Sequence, residues 1–584
     1  MNEPETDKPD IVLAYAKQFK IDLPKIIFMN SAIAFKTVVF VMIAVFLAGC
    51  AAAPDSADPV ENTEVAAILA DSRAAAEAGE YRYALDLLME TLETSSDPAV
   101  ARQAAQLASA IDDWPAASIA AARWMDLETE SQQAVQFATI AALRQQRVGR
   151  AVELMQTRLV GEGNPMDWDS TAALLATAGS SDIASAALER LIEESEDLDP
   201  GFDDYLRSRL AWQLDQPQQA FELARQALRA QPDYRRASWA AQVARFRSEP
   251  ALALEYFRLA GEFDPDNRGA AISEVELLRE LGRGEEALEV LARLPQDAET
   301  LYTRGVVEQD LGRVARAGAT WQRMASLKPP EAGARHAWLT AVLAEILEMD
   351  DEAIEWYSRV DGALEQRADL RRAILLGARG DLQQARALLV DVRGSSQPET
   401  IEQAWLIEGQ MLAESGDHEQ ALELLSEALA QLPGSSALLY ARAMAAVNEE
   451  QLALAEQDLR TIIQSDPKNA VALNALGYTL SDRTDRQREA LRLIETALAL
   501  EPENPAILDS MGWVLFKLGH AAEALGYLRD AAVAEPHPEI VAHLIEVLWV
   551  LDHRDEARAW VARTREEMEG DKVYEATLQR IGLD

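Results

Sequence analysis

From residue 64 onward, apolar side chains recur at the spacing of an α-helix, whereas β-strand signals are scarce. One apolar stripe, at positions i, i+3, i+4 and i+7, consists of Leu508, Met511, Gly512 and Leu515. The helix that follows carries a second stripe, from Ala524 to Ala532. Neither helix can bury its stripe alone, so the pattern predicts an all-α chain of paired helices in which each pair stacks on the next.

The predicted pairs repeat with a period close to 34 residues. Near the C-terminus, Gly477 precedes Gly512 by 35 residues, and Ala490 precedes Ala524 by 34. Spacings from 30 to 36 residues predict about fifteen helix pairs, of which those on the N-terminal side are degenerate. The small residue that starts each second helix is followed through Ala84, Ala117, Ala151, Ala186, Ala220, Ala253, Ala287, Ala317, Ala353, Ala385, Ala421, Ala455, Ala490, Ala524 and Ala557.

Prolines and glycines mark the ends of the predicted helices. Proline lacks an amide donor and clashes with the preceding turn, so it ends the second helix twelve residues after the alanine at Pro232, Pro265, Pro329, Pro433, Pro467, Pro502 and Pro536. Glycine gives the turn between the two helices its conformational freedom, five residues before the alanine, at Gly79, Gly282, Gly312, Gly380, Gly416 and Gly519.

This pattern of Gly, Ala, Ala and Pro at a period of 34 resembles the tetratricopeptide repeat. The resemblance implies a right-handed superhelix of helix pairs, an α-solenoid. It implies a degenerate N-terminal array over residues 64–330 and a C-terminal array over residues 331–584.

A different apolar pattern precedes Cys50, the only cysteine of the chain. Residues Val38–Ala48 form an eleven-residue apolar run behind Lys36 and ahead of small residues, which is the layout of a secretory signal peptide. The run continues into Leu-Ala-Gly-Cys at 47–50, which resembles the bacterial lipobox. In that family the thiol is diacylated and the chain is cut before it. The resemblance therefore implies a signal peptide over residues 1–49 and lipidation of Cys50.

Two other interpretations of this segment are weaker. A buried free thiol would leave the apolar run unexplained, and an uncleaved anchor helix needs about 20 apolar residues. Met29 begins a more ordinary signal peptide than Met1, so either is a candidate start. Ala51, rather than Asp, follows the cysteine, and resemblance to sorting signals implies the outer membrane. Residues 50–63 then hold the lipidated cysteine and a flexible linker.

Acidic residues outnumber basic ones by 98 to 55, which gives a formal net charge of −43. Such a chain repels phosphate backbones, which argues against a nucleic-acid partner, and it disfavours electrostatic binding to anionic bilayers. The membrane attachment would then rest on the lipid. The acidity serves solubility or attracts a basic partner, and solubility is the simpler interpretation.

A second stripe on the first helices lies beside the core stripe, at i, i+4, i+7 and i+8. In the repeat family this face lines a concave groove that holds partner peptides or helices. Exposed aromatic side chains there would favour an interface, although packing against the adjacent repeat is the alternative. The candidate partner-binding residues are Asn474, Tyr478, Ser481 and Asp482, then Asp509, Trp513, Phe516 and Lys517.

Motifs of catalysis, metal binding and cofactor binding are missing from the sequence. None of the six histidines has the spacing of a zinc motif, and neither a G-x-S-x-G elbow nor a phosphate-binding loop is found. We therefore expect no catalytic residues, no metal and no cofactor, although scattered Asp and Glu residues leave a cryptic pair open.

The segment LNALGYTLSDRTDRQREALRLIETALALEPENPAILDSMGWVLFKLG, together with the lipobox and the length, resembles the LbcA-type tetratricopeptide lipoproteins of Gram-negative envelopes. The resemblance is closest over residues 470–560. Members are outer-membrane adaptors that bind a periplasmic carboxyl-terminal processing protease, bring it substrates such as peptidoglycan endopeptidases, and raise its activity. By analogy, residues 64–130 would dock the protease. A scaffold for outer-membrane assembly or polysaccharide export is the alternative, and a hydrolase is the third class.

Overall fold

The computed structural model describes residues 59–156, 168–195, 198–265, 267–328 and 333–583. The predicted signal peptide, Cys50 and most of the predicted linker lie outside these residues. Within them the chain forms 31 α-helices and no β-strand. None of these helices combines the length and the apolarity that crossing a membrane requires.

The helices of the described residues form fifteen consecutive antiparallel pairs and a final single helix, and they group into two compact units. One unit ends at Pro295 and also takes in the short turn Asp310–Gly312. The other comprises Gln296–Gln309 and Arg313–Asp584.

The first unit contains seven pairs. They are α1 (Pro59–Glu77) with α2 (Tyr81–Leu92), α3 (Pro98–Ala110) with α4 (Trp114–Leu127), α5 (Gln132–Arg144) with α6 (Val148–Leu154), α7 (Trp168–Ala176) with α8 (Ser181–Glu193), α9 (Phe202–Gln213) with α10 (Pro217–Ala230), α11 (Tyr234–Phe246) with α12 (Pro250–Phe263), and α13 (Arg268–Glu280) with α14 (Gly284–Leu291).

The second unit contains eight pairs and a final helix. They are α15 (Ala298–Asp310) with α16 (Val314–Ala325), α17 (Ala334–Ile346) with α18 (Asp350–Tyr357), α19 (Glu365–Ala378) with α20 (Leu382–Val392), α21 (Pro398–Glu414) with α22 (His418–Gln431), α23 (Ser436–Asn448) with α24 (Leu452–Ser465), α25 (Ala470–Arg483) with α26 (Gln487–Leu500), α27 (Pro505–Lys517) with α28 (Ala521–Ala534), α29 (Pro538–Val550) with α30 (Arg554–Thr564), and α31 (Lys572–Ile581).

Two boundaries of the structure lie close to predicted ones. Helix α1 begins at Pro59, within the predicted linker, because proline fits the first turn of a helix, where its missing amide leaves no bond unmade. The two compact units divide near residue 295, and the division at residue 330 between a degenerate N-terminal array and a C-terminal array stays a prediction.

The alanine positions define the repeat. Fourteen of the fifteen predicted alanines are at most 1% exposed, and Ala490 and Ala524 lie where the backbones of the paired helices come close together. Ala186 is the exception, since it is exposed and Ala184 takes the buried position. The prediction of Ala186 was therefore wrong by two residues. The turn glycine Gly179, five residues before Ala184, marks the correct register.

A left-handed residue between the paired helices is common to almost every repeat. Six of these turns have the predicted glycines at positive φ, and Gly179 is a seventh. Seven other turns place a larger residue at the same position, at Asp112, Gln146, Asp215, Ser248, Glu348, Glu450 and Asp552. The backbone conformation is therefore kept where the sequence signal for it is lost.

Candidate functional site

A cluster of polar and aromatic side chains joins three successive first helices of the second unit, α25, α27 and α29. Asn469 and Asn504 start the first two of these helices by accepting hydrogen bonds from backbone N–H groups of the first turn. With the helices started at these residues, side chains that are one helical turn apart on each helix face the neighbouring first helix. We call these residues the Trp513 cluster; they are Tyr478, Asp482, Asp509, Trp513, Lys517, Glu539 and His543.

The centre of the Trp513 cluster is a buried imidazole, that of His543 on α29. Its ring stacks on Trp513 of α27, with ring centroids 3.9 Å apart and an interplanar angle of 16°. The Nδ1 atom lies 3.0 Å from both carboxylate oxygens of Asp509. His543, Trp513 and Asp509 are all buried, so this contact holds two successive repeats together away from solvent.

Asp482 at the end of α25 binds the other side of Trp513. The indole Nε1 donates a hydrogen bond of 3.2 Å to Asp482 Oδ1. Lys517 Nζ lies 3.4 Å from the same oxygen and 4.8 Å from the centre of the Trp513 ring. An ammonium ion over an indole face is attracted by the ring as well as by the carboxylate.

Tyr478 and Glu539 connect the outer helices of the cluster. The Tyr478 hydroxyl donates a hydrogen bond of 2.5 Å to Glu539 Oε1. Burial and the nearby Glu539 carboxylate raise the pKa of Tyr478 well above its ordinary value, so the hydroxyl keeps its proton. Burial also raises the pKa of Glu539, against the opposing effect of His543.

The pKa of His543 reflects two opposing effects. Burial by itself lowers the pKa, but the carboxylates of Asp509, Glu539 and Asp482 together outweigh it, and the pKa is raised from its ordinary value. The charged form of the imidazole is thus favoured by its partner. The His543 Nδ1–H donates to the buried carboxylate of Asp509, and this contact between the two helices becomes an ion pair when the imidazole is protonated.

The structure brings most of the predicted groove residues together, but it buries several of them. Of the two interpretations left open by the sequence, packing against the adjacent repeat holds for Tyr478 and Trp513, which are 9% and 7% exposed. Ser481 is also buried, while Asn474 and Phe516 are half-buried. Binding of a partner by these residues stays a prediction.

His543 and Glu539 belong to the cluster although they are not among the residues predicted from the sequence. His543 follows Asp509 by 34 residues and Asn474 by 69, so it occupies the same repeat position in the next pair. Extending the polar stripe by one repeat would have found it. Glu539 has no such signal, since it enters the cluster through its contact with Tyr478 across 61 residues.

Across the described residues, no group of three or more His, Cys, Asp or Glu side chains is arranged to hold a metal ion. The hydrogen bonds and the ring contact of the Trp513 cluster run between α25, α27 and α29, so the cluster joins these three helices.

An opening lies on the opposite side of α27. Met511 and Leu515 line this opening. Each lies two positions along the chain from a member of the Trp513 cluster, which is a rotation of about 200° around the helix. The cavity is about 530 Å³ and lies between the second helices α26 and α28. We call it the outer groove; it is lined by Leu491, Glu495, Leu498, Ala499, Met511, Leu515, Leu518, His520, Glu523 and Tyr527.

Fold and repeat geometry together define a tetratricopeptide-repeat solenoid, whose helix pairs fit a role in protein–protein interaction. The tetratricopeptide-repeat family model matches residues 370–436. The chain is 45% identical over 179 residues to a protein of Pseudomonas aeruginosa described as TPR repeat-containing protein PA4667. The match covers 31% of this chain and 30% of that protein, so it spans less than a third of the relative's length.

Solved structures of other repeat proteins are also similar. A thermophilic tetratricopeptide-repeat protein of Thermus thermophilus is 25% identical, and the similarity covers 31% of this chain and all of that chain, with a TM-score of 0.29. A tetratricopeptide-repeat protein of Parabacteroides merdae is 14% identical, and the similarity covers 43% of this chain and 98% of that chain, with a TM-score of 0.36.

Proposed function

We propose that this chain is a lipid-anchored adaptor of the bacterial outer membrane that faces the periplasm. It binds a carboxyl-terminal processing protease and the protein substrates of that protease, such as peptidoglycan hydrolases, and promotes their cleavage. The observation that carries the proposal is the run of fifteen helix pairs, since arrays of this kind present long binding surfaces to other proteins. The lipobox-like sequence ending at Cys50 supports the anchor.

The mechanism of such an adaptor is proximity. Two proteins that bind the same scaffold meet at an effective concentration set by the scaffold, which can exceed their free concentrations by orders of magnitude. No reacting group of the adaptor is needed. The net charge of −43 keeps the scaffold from adhering to nucleic acid while it binds proteins.

Reconstituted proteolysis tests the proposal directly. The purified chain, a carboxyl-terminal processing protease and a peptidoglycan endopeptidase are combined, and cleavage is followed over a range of substrate concentrations. Proximity predicts the largest acceleration at limiting substrate and little at saturation. No acceleration at any concentration would contradict the adaptor role, and cleavage by the chain without the protease would revive the hydrolase interpretation.

Affinity purification from envelope extracts separates the adaptor from the alternative scaffold. Co-purification of a processing protease and of cell-wall hydrolases is the expected result. Recovery of an outer-membrane assembly or polysaccharide-export complex instead would favour the alternative.

A further inference from the structure

Successive second helices are bridged by the same pair of side chains in three places. An arginine five residues after the repeat alanine binds a glutamate one residue before the next repeat alanine. Arg258 Nη2 lies 3.0 Å from Glu286, and Arg460 Nη2 lies 2.6 Å from Glu489. Arg529 binds Glu556 through two nitrogen atoms, at 2.8 and 2.5 Å. These bridges cross the cleft between neighbouring second helices.

At the outer groove, a glutamate takes the place of the arginine of this bridge. Glu495 lies five residues after Ala490, where the three bridged repeats have arginine, and Glu523 lies one residue before Ala524. Both carboxylates line the groove, so two like charges border the cleft that an ion pair crosses elsewhere. Among the described residues, the one ion-pair contact of Glu523 is with His520, with 3.5 Å between Nδ1 and Oε1, and Glu495 forms none.

The lining below these carboxylates is apolar. Leu491 and Leu498 of α26 are half-buried, and so are Leu518 and Tyr527. A cavity of about 530 Å³ falls within the range of pockets that bind ligands, about 300 to 1,000 Å³. The groove therefore combines an apolar floor with a rim of two carboxylates that lack the guanidinium found at the same positions in the other bridges.

We propose that the outer groove is a docking site for a segment of a partner protein that carries an arginine beside bulky apolar residues. The partner's guanidinium lies between Glu495 and Glu523 and restores the bridge between the second helices, while its apolar side chains cover Leu491, Leu498 and Tyr527. A planar guanidinium suits this position because it donates to two carboxylates at once. The proposal holds whether or not the partner is a processing protease.

The test uses two synthetic peptides and the full-length chain. One peptide carries a single arginine flanked by leucines, and the other replaces that arginine by citrulline, its neutral isostere. Fluorescence polarisation measures the binding of each. We expect the arginine peptide to bind about ten- to a hundredfold more tightly, since a hydrogen-bonded charge pair is lost with citrulline. Equal binding of both peptides, or no binding, would overturn the proposal.

Matched variants of the chain complete the test. Glu495→Arg lets the chain close its own groove, as Arg460 and Glu489 do in the preceding repeat, and should abolish binding while the melting temperature is kept. Glu495→Gln and Glu523→Gln should each weaken binding. Glu566→Arg makes the same charge change at an exposed position outside the groove and should bind normally. Unchanged binding by Glu495→Arg would refute the docking site.

Sedimentation decides whether the occupant is a second copy of the chain. Monomeric wild-type protein is the expected result. A wild-type dimer that Glu495→Arg converts to a monomer would make the groove a self-interface and overturn the proposal. Neither result bears on protease stimulation, which is measured separately.

Discussion

The repeat alanine carries the packing of each helix pair. A Cβ atom added to Gly512 would come within 2.5 Å of Leu528 and 3.2 Å of the Ala524 carbonyl oxygen, so α27 and α28 touch at backbone distance. The same approach recurs at Gly477, which meets Ile494 and the Ala490 carbonyl oxygen. Small side chains are therefore required on both sides of the contact.

Enlarging a repeat alanine should separate the pair. Ala524→Leu is expected to destabilise α27 and α28 by about 1–3 kcal/mol, because the close-packed contact has no room for three more carbon atoms. Ala186→Leu is the control, since Ala186 is exposed, and should change stability by less than about 0.5 kcal/mol. Hydrogen exchange of the flanking helices measures both, and equal effects would contradict the corrected register.

The left-handed turn residues give a second prediction. Glu348 has a φ of 58° between α17 and α18, a conformation that costs a residue with a Cβ about 1–2 kcal/mol. Glu348→Gly removes this cost, but glycine loses more conformational entropy on folding than glutamate does. The net stabilisation of this pair should therefore be about 0.5–1 kcal/mol. Gly312→Ala, at a φ of 69° with open space around it, should destabilise α15 and α16. Loss of exchange protection in Glu348→Gly would contradict the strain argument.

At the scale of elements, the Trp513 cluster joins first helices that sequence alone describes separately. Helices α25, α27 and α29 pack directly on their neighbours, and the cluster supplies the polar part of that contact. Its members hydrogen-bond to one another across repeats, so the cluster helps to hold successive first helices together.

The cluster predicts a pH dependence of stability. The folded-state pKa of His543 is raised, so its contribution is fully present below the unfolded value of about 6.5 and is lost as pH rises through the folded value. The raised pKa of Glu539 acts in the same direction, beginning near its unfolded value of about 4.3. Helices α25 to α29 should therefore exchange hydrogen more slowly at about pH 6.5 than at pH 8, after correction for intrinsic rates.

The double variant His543→Phe with Asp509→Asn is the control for this effect. It keeps an aromatic ring on Trp513 and removes both charges of the pair. The part of the pH dependence due to His543 should disappear. A slope between pH 6.5 and 8 as steep as that of the wild-type chain would show that other groups titrate instead.

At the scale of the whole molecule, attachment and binding are separate properties. The described residues form two compact units of helix pairs, to which the proposed binding belongs, whereas the proposed anchor lies outside them, at Cys50. Two or more acyl chains make a stable anchor, because each buried methylene contributes about 0.8 kcal/mol. Lipid rather than charge would hold this acidic chain at the membrane.

Cys50→Ser is expected to release the protein into the soluble periplasm, because the acceptor of the lipid is removed. Fractionation of envelopes with immunodetection measures the result. Ala51→Asp keeps the cysteine and should move the protein to the inner membrane, as the sorting signal implies. Retention of Cys50→Ser in the membrane pellet would refute lipidation.

The sequence by itself determined the repeat: the period of alanines and the turn glycines predicted fifteen helix pairs, and the structure contains fifteen among the described residues. The position of each repeat alanine depends on packing between two helices that are close in the sequence. The sequence pattern therefore placed every repeat alanine correctly except Ala186. Tertiary structure decided which faces of those helices are buried and which remain open to a partner. It buried Trp513 and Tyr478 beneath the next repeat and opened the outer groove beside Glu495, because burial and charge pairing depend on residues about 30 to 60 positions away along a repeat array.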